Sequence, residues 1–490
     1  MDDIKKLHEK PPYAMIAILF CGAFIAFLNN TLLNVALPSI MTEFQVSPAI
    51  VQWLTNGYML VNGILIPARA FFIQKFTNRK LFLTAMSLFS LGTLLAAISP
   101  HFGFLIAGRM IQASGSSLLM PLLMNVMLIA FPIERRGRAM GVFGLVMTLA
   151  PAIGPTLSGW IIEHYSWRML FWIIFPFTVL FLLLGLLKLK NITPNRDIKI
   201  EVVSLIYSTL AFGGLLYGFS SAGEIGWKKP AVFVPIAVGA IFLVLFIGRQ
   251  LRLREPMLEF RIFKYPMFAL SSTISIVLSA SMFSGMILTP IYVQSVRGIS
   301  PFDAGLLMLP GAIVMGIMSP ITGKLFDKYG PRMLATVGLL IMAITTYMFS
   351  RLTLDMAYFT IMLLYTVRMF GMSLVMMPVM TNGLNQLPMI QYPHGTAMNN
   401  TLQQVSGAIG SAILVTLMNK KMELSKEQLV NSTASASSTA ASEDVMIEIT
   451  NQAMLDGINF AFLISTFIAI LAFILSLFMK RVVPEKKMAE

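Results

Sequence analysis

The chain has 490 residues, of which 57% are hydrophobic and only 12% are charged, and its formal net charge is +14 at pH 7. Its mean hydropathy is +0.78. Soluble domains carry about twice this share of charged residues, so the composition excludes a soluble globular protein and predicts an all-α polytopic membrane protein. The single cysteine, Cys21, excludes disulfides within the chain and a cysteine-based metal site. We expect no metal.

Each of fourteen apolar stretches has about 20 residues or more, the length that a membrane-spanning helix needs. They lie at about 13–38, 50–73, 81–99, 103–131, 138–161, 169–188, 202–223, 230–248, 266–293, 302–323, 332–350, 356–380, 396–418 and 458–479. Because the number of spans is even, both termini lie on one side. The loops of that side hold 25 of the 36 Lys and Arg residues, against 8 in the opposite loops. The positive-inside rule therefore predicts cytoplasmic termini, and this topology explains the basic excess without a nucleic-acid partner.

Uncharged polar side chains recur within the spans and predict a polar but uncharged substrate cavity. Two pairs, Gln52 with Asn56 and Asn399 with Gln403, have i,i+4 spacing and thus share a helical face. Hydrogen bonds that only join neighbouring helices are the alternative interpretation for part of the set. The candidate cavity residues are Asn29, Asn30, Asn34, Gln52, Asn56, Asn62, Asn399 and Gln403.

Three arginines, Arg69, Arg109 and Arg368, fall inside the predicted spans. A charge in the middle of a span costs about 2.5 kcal/mol or more, so Arg109 in the fourth span and Arg368 in the twelfth need a partner or water. Gln112 lies three residues after Arg109 and hence on the same helical face. Arg69 is one turn from the end of the second span, and we expect its side chain to snorkel to the membrane surface.

The fifth span contains the sequence GVFGLVMTLAPAIGPTLSG, residues 141–159. Glycine and proline destabilise soluble helices but are tolerated in membrane helices, where neighbouring helices satisfy the freed backbone groups. The regularly spaced small residues predict a face against which another helix packs closely. An ordinary tight contact between two helices, without a further role, would need the same residues. The pair Gly154-Pro155 predicts a kink.

Two weak internal repeats relate the two halves of the chain. The sequence PARAFFIQKFTNRK (67–80), which follows the second span, resembles PITGKLFDKYGPR (320–332), which follows the tenth. Arg109 and Arg368 each open a run that ends at a proline, in the fourth and twelfth spans respectively. The matching offsets predict two six-helix bundles with two extra helices between them.

The domain boundaries follow from these repeats. We predict an N-terminal six-helix bundle at 1–190, linkers with two extra transmembrane helices at 191–260, and a C-terminal six-helix bundle at 261–490. The outer loop at about 419–457 is rich in Ser, Ala and Thr, which predicts a low-complexity linker. A short helix over the outer mouth is the alternative.

The motifs, taken together and in order, resemble the fourteen-helix drug:proton antiporters of the major facilitator superfamily, with the lincomycin-efflux (LmrB-type) and EmrB-type branch closest in pattern. The resemblance covers essentially the whole chain. In the fifth-span antiporter motif, Ala150 and Ser158 replace two glycines, and both are small enough to keep the packing. The other motifs that carry the resemblance are LNNTLLNVALPSI (28–40), RMIQASGSSLLMP (109–121), SWRMLFW (166–172) and GISPFDAGLLMLPG (298–311).

This resemblance implies a major-facilitator fold and a multidrug or antibiotic exporter of the cell membrane that works by alternating access. It implies a proton gradient as energy source with no cofactor, small amphipathic drugs or lipids as ligands within the lipid bilayer, and a monomer. It further implies that Arg109, with Gln112, takes part in proton coupling, that Arg368 is the embedded charge of the second half, and that Gly154 and Pro155 support a bend between states.

The loop after the tenth span is also implied to act as a latch at the cytoplasmic face. Asp327 is expected to cap a helix start and to pair with an arginine, and with Arg332 to steady the outward-facing state. In the N-terminal copy Gln74 stands where the family has an aspartate. Gln74 can form hydrogen bonds but is neutral, so we expect a weaker latch there.

None of the 22 Asp and Glu residues lies in the middle of a predicted span, and Asn29 occupies the position of the first-helix aspartate common in this family. Export of lipophilic cations by proton antiport usually needs an embedded carboxylate whose pKa is raised by burial. With Arg109 and Arg368 as the embedded charges, we expect neutral, zwitterionic or anionic amphiphiles to be preferred over permanent cations.

The sequence can be compared with four other classes of protein. The chain has no HExxH, GxSxG or paired intramembrane acids, so a membrane enzyme is not expected. It also lacks the phosphate-binding GxxxxGK[ST] sequence of a primary pump. An exporter of lipids or fatty acids on the same fold, not coupled to protons through an embedded carboxylate, remains the alternative. A transporter-derived sensor would share the fold as well.

Overall fold

The computed structural model describes residues 12–46, 48–51, 53–132, 135–192, 201–436 and 443–482. All regular secondary structure in these ranges is helical, which confirms the predicted all-α class. The α-helices are α1 (Tyr13–Phe44), α2 (Pro48–Val51), α3 (Trp53–Ile64), α4 (Ile66–Lys75), α5 (Asn78–Ala97), α6 (Phe102–Ala130), α7 (Arg136–His164), α8 (Met169–Lys188), α9 (Val202–Ile225), α10 (Pro230–Arg252), α11 (Pro266–Ile291), α12 (Pro301–Tyr329), α13 (Pro331–Phe349), α14 (Tyr358–Ser373), α15 (Met376–Asn385), α16 (Tyr392–Ala436) and α17 (Glu443–Ser476).

Every predicted apolar span coincides with a helix or with consecutive helical pieces. In the described part of the chain, twelve helical stretches are long and apolar enough to cross a membrane. In the described residues the second span comprises α2, α3 and α4. Gln52, between α2 and α3, lies outside the described residues. The helix of this span breaks at Leu65, two residues before Pro67. Proline lacks the N–H that would continue the helical ladder. The twelfth span is likewise divided, between Ser373 and Met376.

The helices pack as two groups with a pair between them. In the first group α1 packs against α6, α7 and α8, and in the second α11 packs against α15, α16 and α17. Helices α9 and α10 pack on each other, and α9 also contacts α3 and α16. The two groups meet where α7 packs along α12 and where α16 contacts α4 and α6. These two seams are therefore the surfaces along which the groups can move relative to each other.

Glycines allow very close helix contact inside the first group. A Cβ atom added at Gly115 in α6 would lie 2.4 Å from the carbonyl oxygen of Ala85 and 2.6 Å from the backbone nitrogen of Phe89 in α5. The same is true of Gly92 in α5, where an added Cβ would lie 2.4 Å from the backbone nitrogen of Gln112. Such backbone contact is typical of membrane helices, whose association depends on close packing rather than on a hydrophobic driving force.

The segment at 419–457, predicted to be a low-complexity linker, is largely helical in the described residues. Helix α16 continues to Ala436, and α17 already begins at Glu443. The 45 residues of α16 correspond to about 68 Å at 1.5 Å per residue, roughly twice the hydrocarbon thickness of a bilayer. Ser425 donates a hydrogen bond to Asp456 across the two extensions. In these described ranges the segment is helical rather than a linker, whereas residues 437–442 of its Ser- and Thr-rich stretch lie outside the described residues.

One end of the bundle, which we call the basic end, carries the loops that hold most of the lysines and arginines. It is formed by the junctions α4–α5, α8–α9, α10–α11 and α12–α13 together with the starts of α7 and α16. At this end Glu201, which precedes α9, accepts hydrogen bonds from Arg249 near the end of α10. Gln250 of α10 donates to Ser204 of α9 at 2.6 Å. These contacts join the two extra helices.

We expect the Glu201–Arg249 ion pair to make the stability of the protein depend on pH in acid. The hydrogen bonds from Arg249 lower the pKa of Glu201 from its ordinary value of 4.5 to about 2. A carboxyl group with a lowered folded-state pKa stabilises the fold fully above its unfolded pKa, and this contribution is lost as the pH falls. The unfolding temperature of Glu201→Gln should therefore lie below that of the wild type at pH 7. The difference should shrink between pH 4.5 and pH 3; a difference that stays constant over this range would contradict the assignment.

Candidate functional site

Arg109 lies fully inside the first helix group, with 1% of its surface exposed. Its guanidinium donates to Gln112 Oε1 at 2.6 Å and to Asn30 Oδ1 at 3.4 Å, and it lies 4.2 Å from the centre of the Tyr58 ring. Its Nε reaches the carbonyl oxygen of Leu54 at 3.5 Å. All of these partners are neutral. The predicted pairing with Gln112 is present, and among the described residues Arg109 joins α1, α3 and α6 without a carboxylate.

Gln112 extends this network to a fourth helix. Its side chain, which is completely buried, donates to Thr93 Oγ1 of α5 at 2.7 Å. Tyr58 donates to Ser116 Oγ at 2.5 Å, one turn further along α6. The arginine is thus held by side chains that are themselves hydrogen-bonded, which fixes the direction of its positive charge.

Arg368 occupies the equivalent place in the second group and is also 1% exposed. It donates to Thr346 Oγ1 of α13 at 3.3 Å and to the carbonyl oxygen of Ser281 in α11 at 2.8 Å. A Cβ atom added at Gly285 would lie 1.4 Å from one of its terminal nitrogens, so α11 leaves room for the guanidinium only because that residue is glycine. Arg109 thus contacts the first and second spans of its group, and Arg368 contacts the first and third spans of its own.

The small residues of α7 contact two different helices. In the half of α7 nearer the basic end, a Cβ atom at Gly141 would lie 2.5 Å from the carbonyl oxygen of Ser319 and 2.8 Å from the Cα of Pro320, both in α12. Ser319 Oγ donates to the carbonyl oxygen of Gly141 at 2.6 Å. Gly144 packs on the same serine. This half of α7 therefore forms a seam between the two groups.

The other half of α7 packs within its own group, on α1. A Cβ atom at Gly154 would lie 2.2 Å from Thr31 Oγ1, and Ser158 Oγ donates to the carbonyl oxygen of Leu32 at 2.6 Å. Gly159 has no atom within 4 Å of an added Cβ. Helix α7 is continuous through Gly154 and Pro155, so the kink between them stays a prediction. The stretch 141–159 thus supplies two packing faces rather than one.

Asp327 connects the two groups at the basic end by a hydrogen bond to the N-terminus of a helix, not by an ion pair with Arg332. Its Oδ1 accepts a hydrogen bond at 3.1 Å from the backbone nitrogen of Gly137, in the first turn of α7. Negative charge at a helix N-terminus is stabilised by the helix dipole and by the free N–H groups. Arg332 is exposed and makes no ion pair among the described residues, so the predicted pairing with Asp327 is not present. Pro331 and Gly330 separate the two side chains and begin a new helix, which directs Arg332 away.

Two more contacts join the groups at this end. Gln74, at the end of the second span, lies 3.1 Å from His394 Nε2 in the first turn of α16. The Nδ1 atom of the same histidine accepts from the backbone nitrogen of Glu259 in the linker at 3.3 Å. Arg136, which is 4% exposed, donates to Tyr392 Oη at 2.6 Å. The N-terminal copy of the repeat thus contacts the start of α16, as Asp327 contacts the start of α7.

The predicted cavity residues differ in their surroundings, and Asn30 accepts a hydrogen bond from Arg109. Asn29 and Asn399 are buried, and Asn29 Nδ2 and Asn399 Oδ1 have no hydrogen-bond partner among the described residues. Asn62 instead accepts from the Arg69 guanidinium at 2.6 Å through its backbone oxygen. Gln403 is half-buried. The described part of the structure does not include residue Gln52 or the side chains of Asn34, Asn56 and Pro155.

The direction of the Arg69 side chain differs from the one expected from the sequence. Its side chain is 3% exposed and turns back along the second span to bond Asn62, rather than reaching the membrane surface. The break at Leu65 frees backbone carbonyls in this part of the span, and the guanidinium satisfies one of them. A guanidinium with such a partner has no need to snorkel.

The family assignment rests on a match that covers most of the chain. Residues 19–411 match the family described as Major Facilitator Superfamily. The chain belongs to the major facilitator superfamily. The solved structure of the human organic anion transporter MFSD10 (TETRAN) shares this fold with a TM-score of 0.64 at 14% identity, covering 94% of this chain and 99% of that one.

Curated relatives of this major-facilitator protein are transporters and resistance proteins. It is 46% identical to the uncharacterized MFS-type transporter YhcA of Bacillus subtilis, over 98% of this chain and 95% of the relative. It is 43% identical to the lincomycin resistance protein LmrB of the same organism, over 96% of this chain and 95% of the relative. A multidrug resistance protein B homolog of Mycobacterium tuberculosis is 28% identical over 81% of this chain and 74% of the relative. These findings confirm the predicted family and a multi-pass membrane transporter rather than an enzyme.

Sequence reasoning missed several residues of this major-facilitator site. Tyr58 and Thr93 contact Arg109 and Gln112, yet a tyrosine and a threonine in apolar spans give no signal of their own. Arg136 and His394, which are 4% and 6% exposed, were not among the predicted site residues. The arginine-rich start of α7 was a usable signal for Arg136, because a charge at a helix start between two bundles needs a partner.

Proposed function

We propose that this transporter is a secondary active exporter of amphipathic drugs or antibiotics that works as a monomer by alternating access and drug:proton antiport. Its basic end faces the cytoplasm, as the positive-inside rule requires, and the proton gradient across the cytoplasmic membrane supplies the energy. The two units that move are the bundles at 1–190 and 261–490, with the pair in 191–260 between them. The observation that carries the drug class is 43% identity to a lincomycin resistance protein over almost the whole chain.

The seam between α7 and α12 supports alternating access. Glycine and serine backbones are in direct contact there, and hydrogen bonds join Ser319 to Gly141 and Gly137 to Asp327. Such a contact can open and close without unfolding either bundle, because the two helices belong to different bundles. Rocking of two rigid bundles about a central site is the general mode of such repeats.

The charges within the bundle support a preference for neutral, zwitterionic or anionic substrates. Arg109 has only neutral partners among the described residues, so its positive charge is uncompensated by a carboxylate. The unpartnered amide groups of Asn29 and Asn399 supply a donor and an acceptor for a polar substrate. A permanent cation would be repelled by this field, while a sugar-like or amide-bearing amphiphile would not.

The test uses everted membrane vesicles with an acidic interior and a fluorescent pH probe. We expect lincomycin, a neutral-to-cationic amide, to enter the vesicles in exchange for protons and to dissipate the gradient. A quaternary ammonium dye should do so at least about tenfold less effectively. Labelled lincomycin should accumulate in parallel and should cease to accumulate when a protonophore removes the gradient.

Two outcomes would reject parts of this proposal. If the quaternary dye is the better substrate, the argument from embedded arginines is wrong. If a labelled fatty acid moves while lincomycin does not, and the gradient is unaffected, the protein is instead a lipid exporter without proton coupling through an embedded carboxylate.

We expect Asp327→Asn to weaken closure of the basic end. The asparagine still accepts a hydrogen bond from Gly137 but removes the charge, and a charge at a helix N-terminus contributes about 1 kcal/mol. The fraction of molecules with a closed basic end should fall about fivefold relative to the open form. Spin-label distances between exposed positions of the two bundles measure this fraction. Asp303→Asn is the matched control, since Asp303 lies in the first turn of α12 at the opposite end, and it should leave the distances unchanged.

A further inference from the structure

An open groove lies on the outer surface of the second helix group at the basic end. Its volume is about 420 Å³, and it is lined by the end of α12, the first turns of α13 and the residue after α17. Tyr329 and Met333 are 50% and 56% exposed. The lining residues are Tyr329, Arg332, Met333, Thr336, Val337 and Leu477. Because α13 and α17 are membrane-spanning, the apolar part of this groove faces lipid.

Three cations lie around the groove at the level where the spans end. Arg332 lines the groove itself and is exposed. Lys328 Nζ lies 5.0 Å from the centre of the Tyr329 ring. Arg481 donates to the carbonyl oxygens of Asp327 at 2.6 Å and Lys328 at 3.5 Å, and its side chain passes over Gly330. A tyrosine with several arginines and lysines at a span end is typical of the headgroup region of a membrane.

The carboxylate of Asp327 contacts the other helix group. Its Oδ1 is bonded to the backbone nitrogen of Gly137 in α7, on the seam between the two groups. The groove therefore combines an apolar floor one to two turns deep with a positive rim. Basic pockets between transmembrane helices on the cytoplasmic side are suited to anionic lipid headgroups.

We propose that this groove binds one anionic phospholipid. The phosphate and the anionic headgroup contact Arg332, Lys328 and Arg481, and an acyl chain lies along Met333, Val337 and Leu477. A zwitterionic lipid fits the apolar floor equally well, but its headgroup carries a compensating positive charge and gains less from the rim. The site is separate from the substrate path and does not depend on the proposed transport function.

The test measures which lipids the purified full-length protein retains. The protein is reconstituted into vesicles of equal phosphatidylglycerol and phosphatidylcholine, extracted in mild detergent, and analysed by native mass spectrometry. The wild type should retain one phosphatidylglycerol in preference to phosphatidylcholine. Arg332→Gln should lower this preference about fivefold, the effect of one basic residue near a lipid surface. The double variant with Lys328→Gln should lower it about 25-fold.

Arg351→Gln is the matched control for these variants. Arg351 is an exposed arginine at the opposite end of α13, 5.7 Å from the ring of Tyr347, and it does not line this groove. A second variant, Val337→Trp, fills the floor without changing charge and should reduce retention of phosphatidylglycerol. The proposal is wrong if Arg332→Gln and Arg351→Gln retain equal amounts of phosphatidylglycerol, or if the wild type retains both lipids equally. Unfolding temperatures in lipid-free detergent show that each variant is folded.

Discussion

Replacing Arg109 with alanine is expected to reduce proton-coupled transport by at least about 100-fold. The guanidinium holds Gln112, Asn30 and the Tyr58 ring in one network that joins three helices. Hydrogen bonds to charged groups contribute about 1.5–3 kcal/mol each, so loss of two of them accounts for a change of this size. The measurement is substrate-dependent dissipation of a pH gradient in everted vesicles, normalised to the amount of protein.

Two further variants separate charge from geometry at this site. Arg109→Lys keeps the charge, but an ammonium group cannot donate in a planar fork toward Gln112 and Asn30, so we expect it to be nearly as inactive. Arg351→Ala removes an arginine that also lies beside a tyrosine, but on the surface, and should retain wild-type transport. Full activity of Arg109→Lys would show that only the charge is needed, and full activity of Arg109→Ala would remove Arg109 from the mechanism.

Gly141→Ala is expected to hold the basic end open and to lower transport at least about tenfold. The new methyl group would lie 2.5 Å and 2.8 Å from backbone atoms of Ser319 and Pro320, neither of which can rotate away. Overpacking of this kind costs about 1–3 kcal/mol. Because the two helices belong to different bundles, the overlap is relieved by separation of the bundles rather than by unfolding. Spin labels at exposed Lys80 and Lys324, in a Cys21→Ser background, should report a longer distance.

Gly115→Ala is the matched comparison, with an equal overlap inside one bundle. Its methyl group would lie 2.4 Å from the carbonyl oxygen of Ala85, in the contact between α5 and α6. These helices cannot part without disrupting the bundle, so we expect a lower unfolding temperature and an unchanged distance between the spin labels. If Gly141→Ala behaves in the same way as Gly115→Ala, the α7–α12 seam is not a moving surface.

Hydropathy and spacing were sufficient to predict the fold. Fourteen apolar runs, the asymmetry of basic loops and two short repeats are properties of neighbouring residues, and each predicted run coincides with helical structure. The contact of Arg109 with Gln112 was predictable for the same reason, since three residues along one helix share a face. The roles proposed for these residues in coupling stay predictions.

Partner choice across long sequence distances was not predictable in the same way. Asp327 bonds Gly137, 190 residues away, instead of the arginine five residues along the chain. Arg69 bonds Asn62 because a helix break leaves a carbonyl to satisfy. The chain around Ser425 and around Asp456 is helical, and these two extended helices pack on each other.

The sequence by itself determined that this chain crosses a membrane many times, which family it belongs to, and which arginines are embedded. These properties depend on local composition and period, since each span must satisfy its own backbone hydrogen bonds in lipid. The tertiary structure alone decided which face of α7 meets α12 and which meets α1, and where the basic groove lies. These properties depend on how two separately folded helix groups pack, and close approach of backbones is possible only where glycine and serine from distant segments coincide.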